Sequence, residues 1–294
     1  MISVFGSANM DLVAYVPTAP KRGETVTGRD FRSVPGGKGA NQAIAAARAG
    51  ARVAFLGAVG DDAFGPGLRR ALTDSGVDVA RLRTVPGPSG IAHIVVDDAG
   101  GNSIIVVPGA NGTVTGPDPA DLAVIARSDA LLLQLELPLE AVTAAARAAR
   151  VPVVLTPAPA RELPDDLLDA VDLIVPNEHE AVALTGAADP ESALAALLER
   201  VPEVVITLGV RGVLYGSRDG LRLRVPALPV PVVDTTAAGD TFAGALAVAR
   251  AEGREPASAL RFATAAAALS VGRRGASTSM PHRPEIDRML GSHG

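Results

Sequence analysis

Short apolar, β-branched segments alternate with alanine-rich segments of helical length along most of this 294-residue chain. This alternation restricts the possible folds more than any other feature. The segments that predict buried strands are 2–5, 52–59, 130–135, 151–155, 173–175 and 204–208. Helices are predicted at 40–49, 63–75, 140–150, 191–200, 238–251 and 257–271, with Gly50 and Gly76 at expected C-terminal caps. Strands that alternate with helices form a parallel sheet covered by helices on both faces, and ligands bind beyond the carboxyl ends of its strands.

Two regions, 13–34 and 89–107, interrupt the alternation. They lack helical periodicity but contain strand-like runs at 14–16, 91–96 and 103–107, the last two joined by a turn at 97–102. They predict a small β layer that projects from a main α/β body made of 1–12, 35–88 and 108–294. Such a layer is suited to be a lid over an active site and a contact between the subunits of a homodimer. Two ordinary surface loops are the alternative.

The composition excludes several classes of protein. Lysine and arginine number 27 against 32 acidic residues, the net charge is -5, and only 3% of residues are aromatic, with no Trp. We therefore expect no nucleic-acid partner, because such proteins need a basic surface and usually stacking rings. The 48% hydrophobic content is enough for a packed core.

The sequence also bears on location. No uninterrupted apolar stretch has the length of a membrane span, and no secretory signal is visible, so we expect no membrane partner and a cytoplasmic location. The absence of cysteine fits a reducing compartment. The last four residues, 291–294, are expected to be disordered.

Several familiar catalytic motifs are absent from the sequence. It contains no Gly-x-Ser-x-Gly elbow, and its four histidines form no His-Glu-x-x-His pair. The glycine-rich run at 36–39 lacks the Lys-Ser/Thr of a Walker A loop, and Gln42 stands where a dinucleotide fingerprint needs its third glycine. Serine hydrolases of this type, zinc proteases, Walker NTPases and Rossmann oxidoreductases are therefore disfavoured.

The segment 233–244 is the most informative part of the chain. A proline-rich strand ends, small residues turn the chain and a helix begins, so the amides of residues 237–240 should converge at the positive end of the helix dipole. That arrangement binds anionic phosphate. Asp240 lies in the first helical turn, where these amides would keep it ionised and where it can accept a proton from a substrate hydroxyl. The alternative is that Asp240 only caps its helix.

Six motifs resemble those of the PfkB-type carbohydrate kinases, most closely of the ribokinase branch, in both order and spacing. They are Gly-Ser-Ala-Asn-Met-Asp-Leu at 6–12, Pro-Gly-Gly-Lys-Gly-Ala-Asn-Gln-Ala at 35–43, Leu-Gln-Leu-Glu at 133–136, Pro-Asn-Glu-His-Glu at 176–180, Thr-Leu-Gly-Val-Arg-Gly at 207–212, and Asp-Thr-Thr-Ala-Ala-Gly-Asp-Thr-Phe at 234–242. The resemblance covers nearly the whole chain. It implies a ribokinase-like three-layer αβα fold with a mostly parallel central sheet and a small β-sheet lid.

The resemblance implies ATP-dependent phosphorylation of D-ribose at its 5-hydroxyl, giving ribose 5-phosphate and ADP. Asp240 would be the catalytic base, and Ala237, Ala238 and Gly239 would form the anion hole. The implied sugar-binding residues are Asn9, Asp11, Gly37, Lys38, Asn41, Glu136 and Asp240, and their carboxylates and amides suit a polyol. We expect Asn9 and Asp11 at the end of the first strand, and the glycines to let substrate approach the backbone. Taken singly, each polar residue also has an ordinary alternative role: it could close a turn, be a solvated surface charge or cap a helix.

On the nucleotide side, Asn177 and Glu180 resemble the family's Asn-x-x-Glu pair near Mg²⁺ and the ATP phosphates; a mutual capping interaction is the alternative. The implied ATP-binding residues are Asn177, Glu180, Thr207, Gly209, Gly212, Ala238 and Gly239. The resemblance also implies a monovalent cation, K⁺, held mostly by backbone carbonyls. Its ligands would come from Asp234, Thr236, Ser270, Arg273, Gly275 and Ser279.

Three other functions stay open on the sequence alone: a kinase for another sugar, a nucleoside kinase, and a non-catalytic sugar-binding sensor on the same fold. The intact Asp240 and the Ala-Ala-Gly turn before it favour a kinase. The expected partners are a small-molecule sugar, ATP and a second copy of the chain.

Overall fold

The computed structural model describes residues 1–292, in which strands form two sheets connected by helices. The strands are β1 Ile2–Phe5, β2 Asn9–Tyr15, β3 Asp30–Gly36, β4 Val53–Gly60, β5 Val77–Val85, β6 Gly90–Val96, β7 Asn102–Val107, β8 Ala130–Leu133, β9 Val153–Leu155, β10 Leu173–Ile174, β11 Glu203–Thr207, β12 Val213–Ser217 and β13 Arg222–Val225. The helices are α1 Lys38–Arg48, α2 Gly65–Asp74, α3 Pro119–Ile125, α4 Leu139–Ala148, α5 Asp165–Leu168, α6 Glu178–Thr185, α7 Pro190–Leu198, α8 Ala238–Ala251, α9 Pro256–Val271 and α10 Arg283–Gly291. Short 3-10 segments lie at Gly109–Thr113, Gly209–Arg211 and Ser277–Ser279.

The main sheet has the strand order β13-β12-β11-β10-β9-β8-β1-β4-β5, and only β12 runs against the other strands, antiparallel to both β11 and β13. Successive residues of its inner strands enter opposite hydrophobic cores: Val4 and Phe55 lie on one face, and Phe5 and Leu56 on the other. Helices α1, α2, α8, α9 and α10 cover the first face, and α3 to α7 cover the second. The predicted three-layer fold with a mostly parallel sheet is therefore confirmed.

The six strands and six helices predicted from the alternating pattern are all present, with ends that differ by two residues or fewer from the prediction. The strand expected at 14–16 begins earlier, at Asn9, and the proline-rich segment before residue 233 is not a strand, since β13 ends at Val225. The elements that sequence analysis did not predict include β5, α6 and α10. The strand β5 lies at the sheet edge and carries Asp78, Arg81 and Arg83, so it lacks the apolar run that marks a strand buried on both faces.

The smaller sheet has the order β3-β2-β6-β7, with β2 parallel to β6 and the other pairs antiparallel. A projecting β layer is thus present, and the surface-loop alternative is wrong. The layer begins at Asn9 rather than at residue 13, and its second strand runs to Gly36 rather than to residue 34. The reason is register: the ladder pairs Asn9 with Gly36 and Asp11 with Val34. Asn9 and Asp11 therefore lie on β2 and not, as predicted, at the end of the first strand.

The expectation of disorder at 291–294 is wrong for Gly291, which ends α10, a helix anchored by the buried Ile286. Residues 293 and 294 lie outside the described residues. No helix within residues 1–292 combines the length and the apolar character needed to cross a membrane.

Candidate active site

The start of α1 packs against the turn that follows β1, at the carboxyl end of the main sheet. Gly37 has φ 93°, a left-handed conformation that favours glycine, and a Cβ on it would lie 2.7 Å from the Asn9 amide nitrogen. A Cβ on Gly39 would lie 2.5 Å from the Ser7 amide nitrogen. In the ligand-free protein, the close approach that these glycines allow is to the chain's own backbone.

Glu136 follows β8 and joins the predicted sugar-binding residues. Its Oε2 atom accepts hydrogen bonds from the Ser7 hydroxyl, from the Lys38 amide at 2.9 Å and from Asn9 Nδ2 at 3.3 Å. One carboxylate oxygen thus holds three segments together: the turn after β1, the start of β2 and the start of α1. The structure brings Asn9, Lys38 and Glu136 to one place, as predicted.

Asp240 lies in the first turn of α8, and only 7% of its surface is exposed. Its Oδ2 accepts a hydrogen bond from Asn41 Nδ2 at 3.1 Å, and its Oδ1 accepts one from Gln42 Nε2 at 3.1 Å. The N-cap of α8 is Ala237, which makes no side-chain cap. Asp240 therefore faces α1 and the sugar-binding residues, and the alternative that it only caps its helix is wrong.

The charge state of Asp240 depends on opposing effects. Burial raises the pKa of its carboxyl group, the Lys38 ammonium and the amides of Gln42 and Asn41 lower it, and Glu136 raises it further. The net result is that the pKa of Asp240 lies above its ordinary value. Loss of hydration thus outweighs the favourable partners in the ligand-free protein, and those partners are Lys38, Gln42 and Asn41 rather than the helix amides named in the sequence analysis.

Asp11 and Lys38 complete the charged group. Burial, then the neighbouring Glu136 and Asp240 carboxylates, raise the pKa of Asp11 to about 7, although Lys38 opposes the shift. Burial lowers the pKa of Lys38, but Asp240, Glu136, Glu180 and Asp11 more than offset it, so this pKa is raised. Lys38 therefore stays cationic among several carboxylates.

Asn41 presents an unused acceptor in this pocket. Its Nδ2 donates to Asp240, so its Oδ1 points the other way, and this buried oxygen has no hydrogen-bond partner within residues 1–292. A buried acceptor without a partner costs about 1–3 kcal/mol. A hydroxyl group is a donor of the kind that this oxygen lacks.

The turn before α8 has the conformation needed to point amides outward. Ala237 has φ 56°, an uncommon left-handed conformation for a residue with a Cβ. The Ala238 amide donates to the Thr235 carbonyl at 3.2 Å, so it is not free as predicted, because the tight turn closes on itself. The amides of Ala237 and Gly239 make no hydrogen bond within residues 1–292, and Gly239 is exposed.

The predicted nucleotide-side residues lie at the ends of β10 and β11. Asn177 and Glu180 form a capping box at the start of α6, each side chain accepting from the other's amide at 2.8 Å, which is the alternative left open by the sequence. Asn177 also forms a β-bridge with Thr207. A Cβ on Gly212 would lie 2.0 Å from the Val225 carbonyl oxygen, whereas Gly209 is exposed. Gly212 therefore serves backbone packing.

The predicted cation ligands lie in two loops joined by Asp234. Its Oδ2 accepts from the Gly275 amide at 2.8 Å, and its Oδ1 accepts from the Thr236 amide at 2.9 Å. Burial raises the pKa of Asp234, but bonds from Thr236 and Gly275 and the nearby Arg274 lower it by more, so the carboxylate is anionic near neutral pH.

The remaining predicted ligands lie in the last turn of α9 and in the segment that follows it. The hydroxyls of Ser270 and Ser279 donate to backbone carbonyls, and the Arg273 side chain pairs with Glu285 at 2.5 Å. Backbone carbonyls are thus the groups left for an ion. Among residues 1–292, no group of three or more His, Asp or Glu side chains is arranged to hold a metal ion.

The geometry joins a polar pocket, a buried carboxylate and an outward-facing amide turn, and comparison with known families agrees with it. The sequence model of the pfkB family carbohydrate kinases matches residues 1–283. This chain belongs to that family. The resemblance inferred from the six motifs is therefore confirmed.

Relatives of this pfkB-family kinase extend over its full length. It is 45% identical over 297 residues to the ribokinase of Bacillus subtilis, covering 98% of this chain and 99% of that one. It is 44% identical over 300 residues to the ribokinase of Haemophilus influenzae, covering 98% of each. The solved structure of Arabidopsis thaliana ribokinase complexed with ribose and ATP matches with a TM-score of 0.93 at 36% identity over 98% of each chain.

Sequence analysis of this kinase missed several polar residues that hydrogen-bond to the predicted site residues or lie behind them: Ser7, Gln42, Asn111 and Gln134. Asn111 lies in the 3-10 segment just after β7. Its Nδ2 donates to Asn9 Oδ1 at 2.7 Å and to the Ala8 carbonyl at 3.2 Å, and its Oδ1 accepts from the Ala8 amide at 3.1 Å. Asn111 thus orients the Asn9 amide. The sequence feature that could have indicated Asn111 is its position in a Gly-Ala-Asn run at the end of the β layer.

Proposed function

We propose that this chain is an ATP-dependent ribose kinase that transfers the γ-phosphoryl group of MgATP to the 5-hydroxyl of D-ribose. The observation that carries the proposal is the environment of the Asn41 amide. Its nitrogen donates to the buried carboxylate of Asp240, and its oxygen has no hydrogen-bond partner within residues 1–292. One group requires a hydroxyl donor, and the other can accept a hydroxyl proton. Both lie beside the amide turn that opens α8.

Asp240 is the general base in this proposal. A bound sugar and nucleotide place a hydroxyl between Asp240 and the γ-phosphoryl group, and the base accepts the hydroxyl proton as the new O–P bond forms and ADP leaves. The amides of Ala237, Ala238 and Gly239 stabilise charge on the phosphoryl oxygens. For Ala238 this requires that its bond to the Thr235 carbonyl opens when ATP binds.

Asn9, Asp11, Lys38, Asn41 and Glu136 bind the sugar hydroxyls. The Asp11 carboxylate accepts no hydrogen bond within residues 1–292, so its lone pairs are available to a ligand. Gly37, which holds α1 against the Asn9 backbone, is assigned to the sugar-binding group with them.

The nucleotide side is assigned to Thr207, Gly209 and Gly212, together with the amide turn. Asn177 and Glu180 would hold a hydrated Mg²⁺; Glu180 uses Oε2 for the cap, which leaves Oε1 for water around the ion. When bound, Mg²⁺ neutralises charge on the phosphates. The carbonyls around Asp234, Thr236, Ser270, Arg273, Gly275 and Ser279 suit K⁺, and the anionic Asp234 that joins their loops supports this fit.

The small sheet is assigned as a lid and as the contact of a homodimer. Its edge strand β7 exposes four apolar side chains, Ile104, Ile105, Val106 and Val107, and Phe31 on the opposite edge is 60% exposed. An exposed apolar edge strand would pair with other chains unless a partner covers it. A second copy of the chain provides that cover, and sedimentation of the pure protein measures whether its mass is doubled. ATP use and the absence of cysteine support a cytoplasmic location.

The test is ADP formation with ribose, fructose, tagatose and adenosine as acceptors. We expect ribose to give a kcat/KM at least 10-fold above the others, and ³¹P NMR to place the phosphate at the 5-position. A higher value for another sugar or for adenosine would reassign the substrate. Sugar binding without ADP formation from any acceptor would leave a non-catalytic sensor.

A further inference from the structure

Gln42 and Gln134 form a buried amide chain behind the sugar pocket. Gln42 lies on α1 and is 0% exposed; Gln134 directly follows β8 and is 1% exposed. Neither has a part in the mechanism proposed above. Burying two primary amides is costly unless their polar atoms are paired, so their position calls for an explanation.

The hydrogen bonds of this chain have a defined direction. Gln134 Nε2 donates to Gln42 Oε1 at 2.7 Å. Gln42 Nε2 donates to Asp240 Oδ1 at 3.1 Å and to the Thr156 hydroxyl oxygen at 3.2 Å. Because the oxygen of Gln42 is held by Gln134, its NH₂ group must face Asp240. A flipped Gln42 would set its oxygen against Asp240 Oδ1, and two acceptors repel.

Gln134 keeps this orientation at a cost. Its Oε1 is buried and has no hydrogen-bond partner within residues 1–292. The same oxygen would lie 2.2 Å from a Cβ on Gly6, so only glycine at this point of the turn leaves room for it. An unpartnered buried acceptor persists when the rest of the side chain has a use, and here that use is the bond to Gln42.

Gln42 differs from the other donor to the base. Asn41 is 6% exposed and has an oxygen without a partner within residues 1–292, whereas Gln42 has no exposed surface and touches the candidate site only through Asp240. Together the two donors hold both carboxylate oxygens, which restricts rotation of the carboxylate and stabilises its anionic form against burial.

We propose that Gln42 is a positioning residue for Asp240 and that Gln134 determines the orientation of the Gln42 amide. The proposal rests on the assignment of Asp240 as the base. A purely structural amide pair that links α1 to β8 is the competing explanation. It predicts lower stability, with no change in the pH dependence of turnover.

The experiment compares Gln42→Met, Gln134→Met and the double variant, since methionine keeps the length of glutamine and removes its polar atoms. Thr264→Val is the matched control, because Thr264 is a buried hydroxyl on α9 with no partner within residues 1–292. Each is measured for kcat, for KM of ribose and ATP, for the pH profile of kcat/KM, and for melting temperature.

We expect Gln42→Met to lower kcat by roughly 10- to 100-fold, the effect of losing a hydrogen bond to a charged group, with KM for ribose changed less than about 3-fold. The acid limb of its pH profile should move to higher pH by about one unit, since the anionic base has lost a donor. Gln134→Met should lower kcat and raise the pH of the acid limb by smaller amounts. In the double variant it should change neither quantity beyond the effect of Gln42→Met.

Two failures are distinguishable. If Asp240→Asn retains turnover, the base assignment is wrong and the positioning role falls with it. If Asp240→Asn loses turnover but Gln42→Met changes only the melting temperature, like the control, the base stands and the positioning role is overturned. If Gln42→Met does not fold, the pH profile of Gln134→Met decides. An acid limb that stays in place overturns the proposal, and one that moves to higher pH supports it.

Discussion

The sugar side and the nucleotide side of the candidate site are built differently. On the sugar side, Asn9, Asn41 and Asp240 are buried and hydrogen-bonded to one another or to neighbours before any ligand is present. On the nucleotide side, Asn177, Gly209 and Gly239 are exposed. The proposed sugar pocket is thus preorganised by side chains, and the proposed phosphate site is presented mostly by backbone amides at the surface.

This difference has an energetic consequence. Side chains that are buried and share partners lose much when one is removed, because the remaining partner stays buried and unpaired. Substitutions other than to proline leave a backbone amide in place, and water replaces an exposed side chain that is removed. Substitutions on the sugar side should therefore have larger effects than those on the nucleotide side.

The largest effect is expected for Asp240→Asn. Asparagine preserves the shape but cannot accept the hydroxyl proton, so turnover should fall by roughly 10²- to 10⁴-fold while ribose binding is kept. Steady-state ADP formation gives kcat, and calorimetric titration gives the ribose affinity. Nearly full turnover in this variant would remove Asp240 from the mechanism.

A second substitution tests the cost of preorganisation. The pKa of Asp11 rises to about 7 in the folded protein, so the stability linked to its protonation is present below the unfolded value of 3.8 and is lost as pH rises to about 7. Asp11→Asn should therefore stabilise the ligand-free protein by about 1–3 kcal/mol at pH 8, and by clearly less at pH 5.

Urea unfolding at both pH values measures this difference. Asp74→Asn, at an exposed position on α2, is the control and should change stability by less than about 0.5 kcal/mol. An Asp11→Asn advantage that is equal at pH 5 and pH 8 would contradict a raised pKa.

Asn111→Ala should raise the KM for ribose by about 10-fold, because Asn9 loses the donor that orients its amide. The KM for ATP should stay within about 2-fold, since Asn111 lies on the sugar side. Thr113→Ala is the control, as its hydroxyl bonds to the Ala110 carbonyl in the same 3-10 segment. Equal increases for ribose and ATP would indicate general disruption instead.

The smallest effect is expected for Glu180→Gln on the nucleotide side. Glutamine can keep the capping box, so stability should hold, while loss of the charge should raise the KM for MgATP by roughly 3-fold. Asp189→Asn, which keeps an N-cap on α7, is the control with a matched loss of charge. A loss as large as that of Asp240→Asn would reverse the contrast between the two sides.

Sequence reasoning worked where the signal is local. Buried parallel strands such as β1 and β4 are apolar on both faces, and a helix such as α8 has a continuous run of small and apolar residues, so a few neighbouring positions reveal each. The edge strand β5 was missed because only its inner face is apolar. Asp240 was found from the small-residue turn before a helix and Asn41 through resemblance, both without knowledge of their contact.

The residues that were missed act through distant partners. Gln42 meets Asp240 across 198 positions, Gln134 meets Gln42 across 92, and Asn111 meets Asn9 across 102. Nothing in the local pattern around a buried glutamine tells which atom of its amide faces which partner. The protonation of Asp11 has the same origin, since it depends on burial and on carboxylates from other segments.

The sequence by itself determined the order of strands and helices and the three-layer arrangement, because hydrophobic periodicity is a property of neighbouring residues. Only the tertiary structure decided that Asn9 and Asp11 belong to the small sheet, which way the buried amides point, and that burial raises the pKa of Asp240. These features depend on which groups lose water together, and that is settled only when distant segments pack.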